Sequence, residues 1–221
     1  NLVHNTMLYA VIEHTNDQYS ANNKSQSKFL RINPPQEVNI LVWDNDNGIE
    51  TIINPETGVN QQASATIELN LQEAGLQYSL LEKLPVDLSQ YDIVIATMGS
   101  HCLGWSTTPP GTVNEADQAI LLNYLNNHNG NLYIESTKLG FDHYVTDLFA
   151  HFGIKFHSEG EVYEVEKVIS NSQTLMNNVD FTYAGGNEPH YTVDRFLSNG
   201  AEMLYTSEDG YHRMFAYNPD S

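Results

Sequence analysis

The side chains best suited to chemistry stand where apolar runs end. Asn39 to Asn47 reads NILVWDNDN, an apolar run, Ile40–Trp43, closed by Asp44 and Asp46. Two carboxylates on such a turn can hold a hard cation through oxygen, or they can cap the turn's own N–H groups. Asp44-Asn45-Asp46-Asn47-Gly48 opens like a calcium loop. It departs from the EF-hand pattern, since Gly stands fifth rather than sixth and no Glu stands twelfth. A second run, NLYIE, ends on Glu135 and is followed by Ser136. If both runs are parallel strands, Asp44, Asp46, Glu135 and His101 converge on one edge as candidate ligands for Ca²⁺ or Mg²⁺. Ser136 is a candidate nucleophile and needs a neighbouring His. His101, His143 and His157 are all eligible, and no spacing selects one. The single cysteine, Cys102, excludes an internal disulfide. It leaves a buried thiol, a nucleophile or an intermolecular partner.

The elements that must position these groups alternate in type. Val38–Trp43 is the first expected strand, apolar enough to be central in a parallel sheet. A long loop follows, then a helix over Gln61–Ala74, with Ala63, Ile67, Leu71 and Ala74 at helical spacing and Gly75 at its stop. Short strands are expected at Gln77–Leu80 and at Ile93–Thr97, the latter β-branched and uncharged. A Pro-containing loop carries Cys102. A helix over Glu115–Asn127 then has acids in its first turn, where the helix dipole favours them. Asn131–Glu135 is the fourth strand, and a helix over His143–His151 stops at Gly153. Beyond it, Ile154–Phe156, Val162–Val168, Ala201–Thr206 and Arg213–Tyr217 read as strands, with Asp209-Gly210 as a hairpin turn. Three β–loop–α units predict a parallel sheet in the order 2-1-3-4, helices on both faces, and later strands extending its far edge. Residues 1–35, with strands at Leu8–Ile12 and Phe29–Ile32 and a closing Pro34-Pro35, read as the end of a preceding β module, or an N-terminal arm, plus a linker. Residues 36–221 form the α/β domain.

The charge narrows the partners. Nine Lys and Arg stand against 28 Asp and Glu, a formal net charge of −19. That sign repels phosphate backbones and anionic membrane surfaces, so nucleic acid is excluded as a partner class. No stretch approaches the roughly 18 apolar residues of a membrane span. The loop after the first strand has one Gly and no Lys, which disfavours a nucleotide or flavin cradle. The chain does not begin with Met and is expected to be a processed product or a piece of a longer protein.

ILVWDNDNG, LQEAGLQYSLLE, LSQYDIVIATMGS and LLNYLNNHNGNLYIEST together resemble the class I glutamine amidotransferase-like fold. More narrowly, they resemble its divergent, non-catalytic copies within large secreted bacterial surface proteins. The resemblance implies a three-layer, flavodoxin-like α/β domain with a structural or interaction role. Its partners would be other domains of the same protein or neighbouring subunits. Those copies end with one more strand after a segment like RMFAYNPDS, which implies that this chain stops short. Catalytic members carry a Cys on a tight elbow and a distant His-x-Glu. Ser100-His101-Cys102-Leu103-Gly104 and His157-Ser158-Glu159 match these locally, giving a thiolate nucleophile, a His base and an orienting Glu. Ser100 stands where the elbow wants Gly, and WSTTPPG follows Cys102 where a helix should begin. The family's nucleophile strand corresponds to NLYIE, which Ser136 follows instead. The resemblance therefore implies a non-catalytic domain first and a cysteine-dependent hydrolase or amidotransferase second. A calcium-stabilised adhesion module is the third reading, from the acidic turn.

Overall fold

A computed structural model describes residues 4–8, 28–32, 38–46, 52–53, 59–99, 112–161, 165, 167–171, 180–182 and 193–218. The chain divides into two compact units, Asn1–Glu37 and Val38–Ser221. In the first, β1 (His4–Leu8) and β2 (Lys28–Ile32) pair antiparallel, with His4 opposite Ile32. The strand expected at Leu8–Ile12 thus lies earlier, and residues 9–12 fall outside the described set.

The second unit opens with β3 (Ile40–Asp44), every residue of which is buried. A small antiparallel pair follows, β4 (Ile52–Ile53) and β5 (Asn60–Gln61). Then come α1 (Ala65–Glu73), β6 (Tyr78–Leu81), β7 (Ile93–Thr97), α2 (Glu115–His128) and β8 (Asn131–Glu135). The four longer strands form a parallel sheet in the order β6-β3-β7-β8. Alternation along these strands decides which face each side chain meets. Leu41, Val94 and Leu132 are register partners on one face, as are Trp43, Ala96 and Ile134. Leu121 and Tyr124 of α2 pack there with Leu148 into the main core. Ile40, Val42 and Asp44 leave the opposite face, where α1 meets the sheet through Ser64 and Glu68. The expected helix over Gln61–Ala74 is shorter, because Gln61 belongs to β5 and Asp46 takes the Ala63 N–H.

The chain then departs from the expected plan. A separate helix, α3 (Leu139–His143), forms in the STKLGFD segment read as a loop, and the helix expected over His143–His151 is shortened to α4 (Asp147–Ala150). Thr146 makes the break: its hydroxyl donates to the His143 carbonyl and accepts from Phe149 N–H, capping the second helix. Six strands follow: β9 (Ile154–Ser158), β10 (Lys167–Ser170), β11 (Phe181–Thr182), β12 (Arg195–Ser198), β13 (Glu202–Ser207) and β14 (His212–Ala216). They do not extend the parallel sheet. They form a separate antiparallel sheet in the order β11-β10-β13-β14-β12-β9. The expected β13–β14 hairpin is present, with Gly210 at φ +84° in its turn. Of the strand expected over Val162–Val168, residues 162–164 and 166 lie outside the described set. Leu139, Phe149, Ile154 and Phe196 form a second core between α3, α4 and this sheet. Gly153 starts β9 at φ +65°, and its carbonyl accepts the N–H groups of Asn199 and Ala201. A side chain there would sit 2.5 Å from the Tyr217 ring, so only Gly fits both the conformation and the space. Among the described residues the unit is a mixed α/β structure with a four-stranded parallel sheet, a six-stranded antiparallel sheet and the small β4–β5 pair. Among the described residues no helix is long and apolar enough to cross a membrane.

Candidate functional site

The parallel sheet delivers Asp44, Thr97 and Glu135 to its carboxyl edge in one row, since they are register partners on β3, β7 and β8. Partners in register project from the same face. Asp46 lies one turn further along and is almost wholly buried. Asp44 Oδ1 accepts the Asp46 N–H at 3.3 Å, and Asp44 Oδ2 accepts the Ser64 hydroxyl at 2.8 Å. Asp46 Oδ2 accepts the Ala63 N–H at 3.1 Å. Ser64 Oγ also stands 3.0 Å from Glu68 Oε1. Burial pushes the Asp44 carboxyl above its usual range, and the neighbouring Asp46 charge adds to that. The two turn carboxylates therefore stand side by side. Glu135 does not join them: β7 separates β8 from β3, and the Glu135 carboxylate accepts the Tyr133 hydroxyl at 2.7 Å. Burial raises Glu135 as well. Among the described residues, no group of three or more His, Cys, Asp or Glu is arranged to hold a metal ion.

The candidates for nucleophilic chemistry are spread over several contacts. Ser136 follows β8, and its Oγ accepts the Lys138 N–H at 3.1 Å, closing a local turn. Lys138 is buried and donates to Glu159 Oε1. His157, on β9, stacks on Tyr211 with ring centroids 5.1 Å apart, and its Nε2 lies 3.2 Å from the Tyr211 hydroxyl. His157 faces away from Phe156, whose ring packs towards α3 and Phe196. His157 and Glu159 thus serve two different contacts, not one. His143 is buried, and its Nε2 accepts the Val113 N–H at 3.2 Å. That bond fixes the segment entering α2, and burial lowers the imidazole's proton affinity. Ser100, His101, Cys102 and Gly104 lie outside the described residues.

Near Glu159 sits a polar cluster that sequence reading did not find. Asp194 is 1 % exposed, and its Oδ2 accepts the Phe141 N–H at 2.8 Å at the start of α3. Burial lifts its carboxyl to about 6, against the bond from Phe141 and the attraction of Lys138. Arg213 donates to the Val193 and Asp194 carbonyls, to Ser207 Oγ and to Asp209 Oδ2, at 2.6–2.8 Å. The network ties β13 and β14 to the strand entry at Val193. Nothing local marks Asp194 in YTVDRF, because its partner lies 53 residues away. Thr97 and Ser64 were also missed, as single hydroxyls at element ends carry no pattern.

A cleft of about 650 Å³ runs beside β8, with Ile134, Phe152, Phe196 and Phe215 among its walls and Ser136 and Arg213 in its lining. Glu135 and His151 line it as well, beside these apolar walls. No family model matches the chain, and no curated protein or solved structure matches it either.

Proposed function

We propose that residues 36–221 are a non-catalytic structural or interaction domain of a secreted or cell-surface bacterial protein. It would be a three-layer, flavodoxin-like scaffold of the glutamine amidotransferase-like kind. The strand order β6-β3-β7-β8, which is 2-1-3-4 in chain order, supports the scaffold. So does the meeting of α2 with one sheet face and α1 with the other. One observation carries the functional reading: each described group nominated for catalysis is committed to a structural contact. Ser136 closes a turn, Glu159 neutralises buried Lys138, and His157 stacks on Tyr211. Partners would be other domains of the same protein or adjoining subunits. The strong negative charge favours partners with basic surfaces.

The test is a panel of glutaminase, esterase and peptidase substrates. Wild type and the Ser136→Ala, His157→Ala and Cys102→Ala variants should all stay at the buffer rate. Turnover by wild type that any one of these substitutions removes would sink the reading.

A further inference from the structure

The row Asp44–Thr97–Glu135 contains a group that its surroundings do not explain. Thr97 is 0 % exposed, and its Oγ1 has no hydrogen-bond partner among the described residues. Buried hydroxyls are nearly always satisfied, so an orphan of this kind points to a missing partner. It leaves the sheet on the same face as Asp44, one strand away, beside the turn that carries Asp46. Ser64 Oγ sits within 3.0 Å of both Asp44 and Glu68 and has one proton to give to two carboxylates. The edge is therefore rich in oxygen lone pairs and short of donors. We propose that Asp44, Asp46 and Thr97 form a site for a hard divalent cation, with Mg²⁺ as the best fit. Two carboxylates with a hydroxyl, completed by water, is a ligand set that suits Mg²⁺. Ca²⁺ takes six to eight oxygens, usually with more carboxylate. The site leaves Glu135 out, and it does not depend on whether the domain is catalytic.

Calorimetric titration of MgCl₂, and separately CaCl₂, into the chelator-stripped 221-residue chain tests this, at fixed NaCl of about 0.15 M so that general charge attraction is screened. Wild type should bind one equivalent saturably. Asp46→Asn should weaken binding about tenfold or more, the loss of one charged ligand. Glu135→Gln should leave it unchanged. Thr97→Val gives the sharper readout, because it keeps shape and removes only the hydroxyl. Without divalent ions its melting temperature should equal or exceed that of wild type, since an orphan is removed. With Mg²⁺ at about 10 mM the order should reverse, since only wild type gains from the ion. Absence of saturable binding up to that concentration overturns the proposal. So does binding that Asp46→Asn and Thr97→Val both leave intact, which would report diffuse attraction to an acidic surface. Saturation by Ca²⁺ but not Mg²⁺ would overturn the choice of ion.

Discussion

Asp194 shows how one side chain can help and cost at once. Its carboxylate caps the first turn of α3, yet burial holds its proton affinity well above that of an exposed carboxyl. An unfolded Asp titrates near 4. In the folded chain Asp194 titrates at about 6. The folded state therefore binds the proton more tightly. Stability from this group is fully present below about pH 4 and is lost as pH rises through about 6. The loss amounts to at most about 3 kcal/mol. Asp194→Asn removes the charge and keeps a carbonyl oxygen for Phe141. Urea denaturation at pH 4 and pH 7 should show the variant gaining on wild type as pH rises. A gap between the two proteins that is equal at both pH values would contradict this account. Such residues were not legible in the sequence, because an isolated Asp looks alike at a surface and in a core. Asp44 and Asp46 were legible, because they close an apolar run that reads as a buried strand.

Elements were easier to read than side chains wherever their own residues set their limits. Helix α2 begins one residue after Asn114, whose Oδ1 accepts the Ala116 and Asp117 N–H groups. It stops at Asn129, which adopts a left-handed φ of 50°. Both signals are local, and the expected span differs from the observed one only at its last residue. Asn114→Ala should cost about 1 kcal/mol of unfolding free energy, the usual worth of an N-cap. Chemical denaturation followed by circular dichroism checks this, and an unchanged midpoint would show that Asp117 and Gln118 hold the helix start alone. Where distant groups set the limits, the sequence misled. Helix α1 starts late because Asp44 and Asp46, across the loop, claim Ser64 and the Ala63 N–H. The apolar spacing predicts one helix over His143–His151 after a loop at STKLGFD, yet α3 lies in that loop segment and α4 within the expected helix. Only the Thr146 bonds, and the demand that His143 reach Val113, reveal the break.

At the scale of the molecule, the parallel sheet was legible and the antiparallel one was only half so. β-branched runs without charge identify central strands, as Ile93–Thr97 does. Strands β9 to β14 alternate and are short, so their pattern says strand without saying which sheet. Their arrangement rests on pairings such as Lys155 with Leu197, which no local signal encodes. The division at Glu37 and Val38 makes a further claim. Residues 38–221 hold both large sheets and both apolar cores. Expressed alone, they should unfold in one cooperative transition, with a melting temperature within a few degrees of the full chain. A broad, non-cooperative melt would show that the first 37 residues complete the fold.

The pairing of β3 with β7 also sets a clock. Asn39 and Asp92 meet across 53 intervening steps of chain, and every hydrogen bond between these two central strands spans a similar gap. Contacts of that range must wait for loop closure, which places such sheets among the slower folders. During synthesis, Ile40–Trp43 leaves the ribosome well before any partner strand exists. A bare ILVW segment is the kind of sequence that pairs with the wrong chain. The acidic turn that follows it, Asp44 and Asp46, then acts in time as well as in space. It places charge beside an apolar segment of the nascent chain while that segment waits.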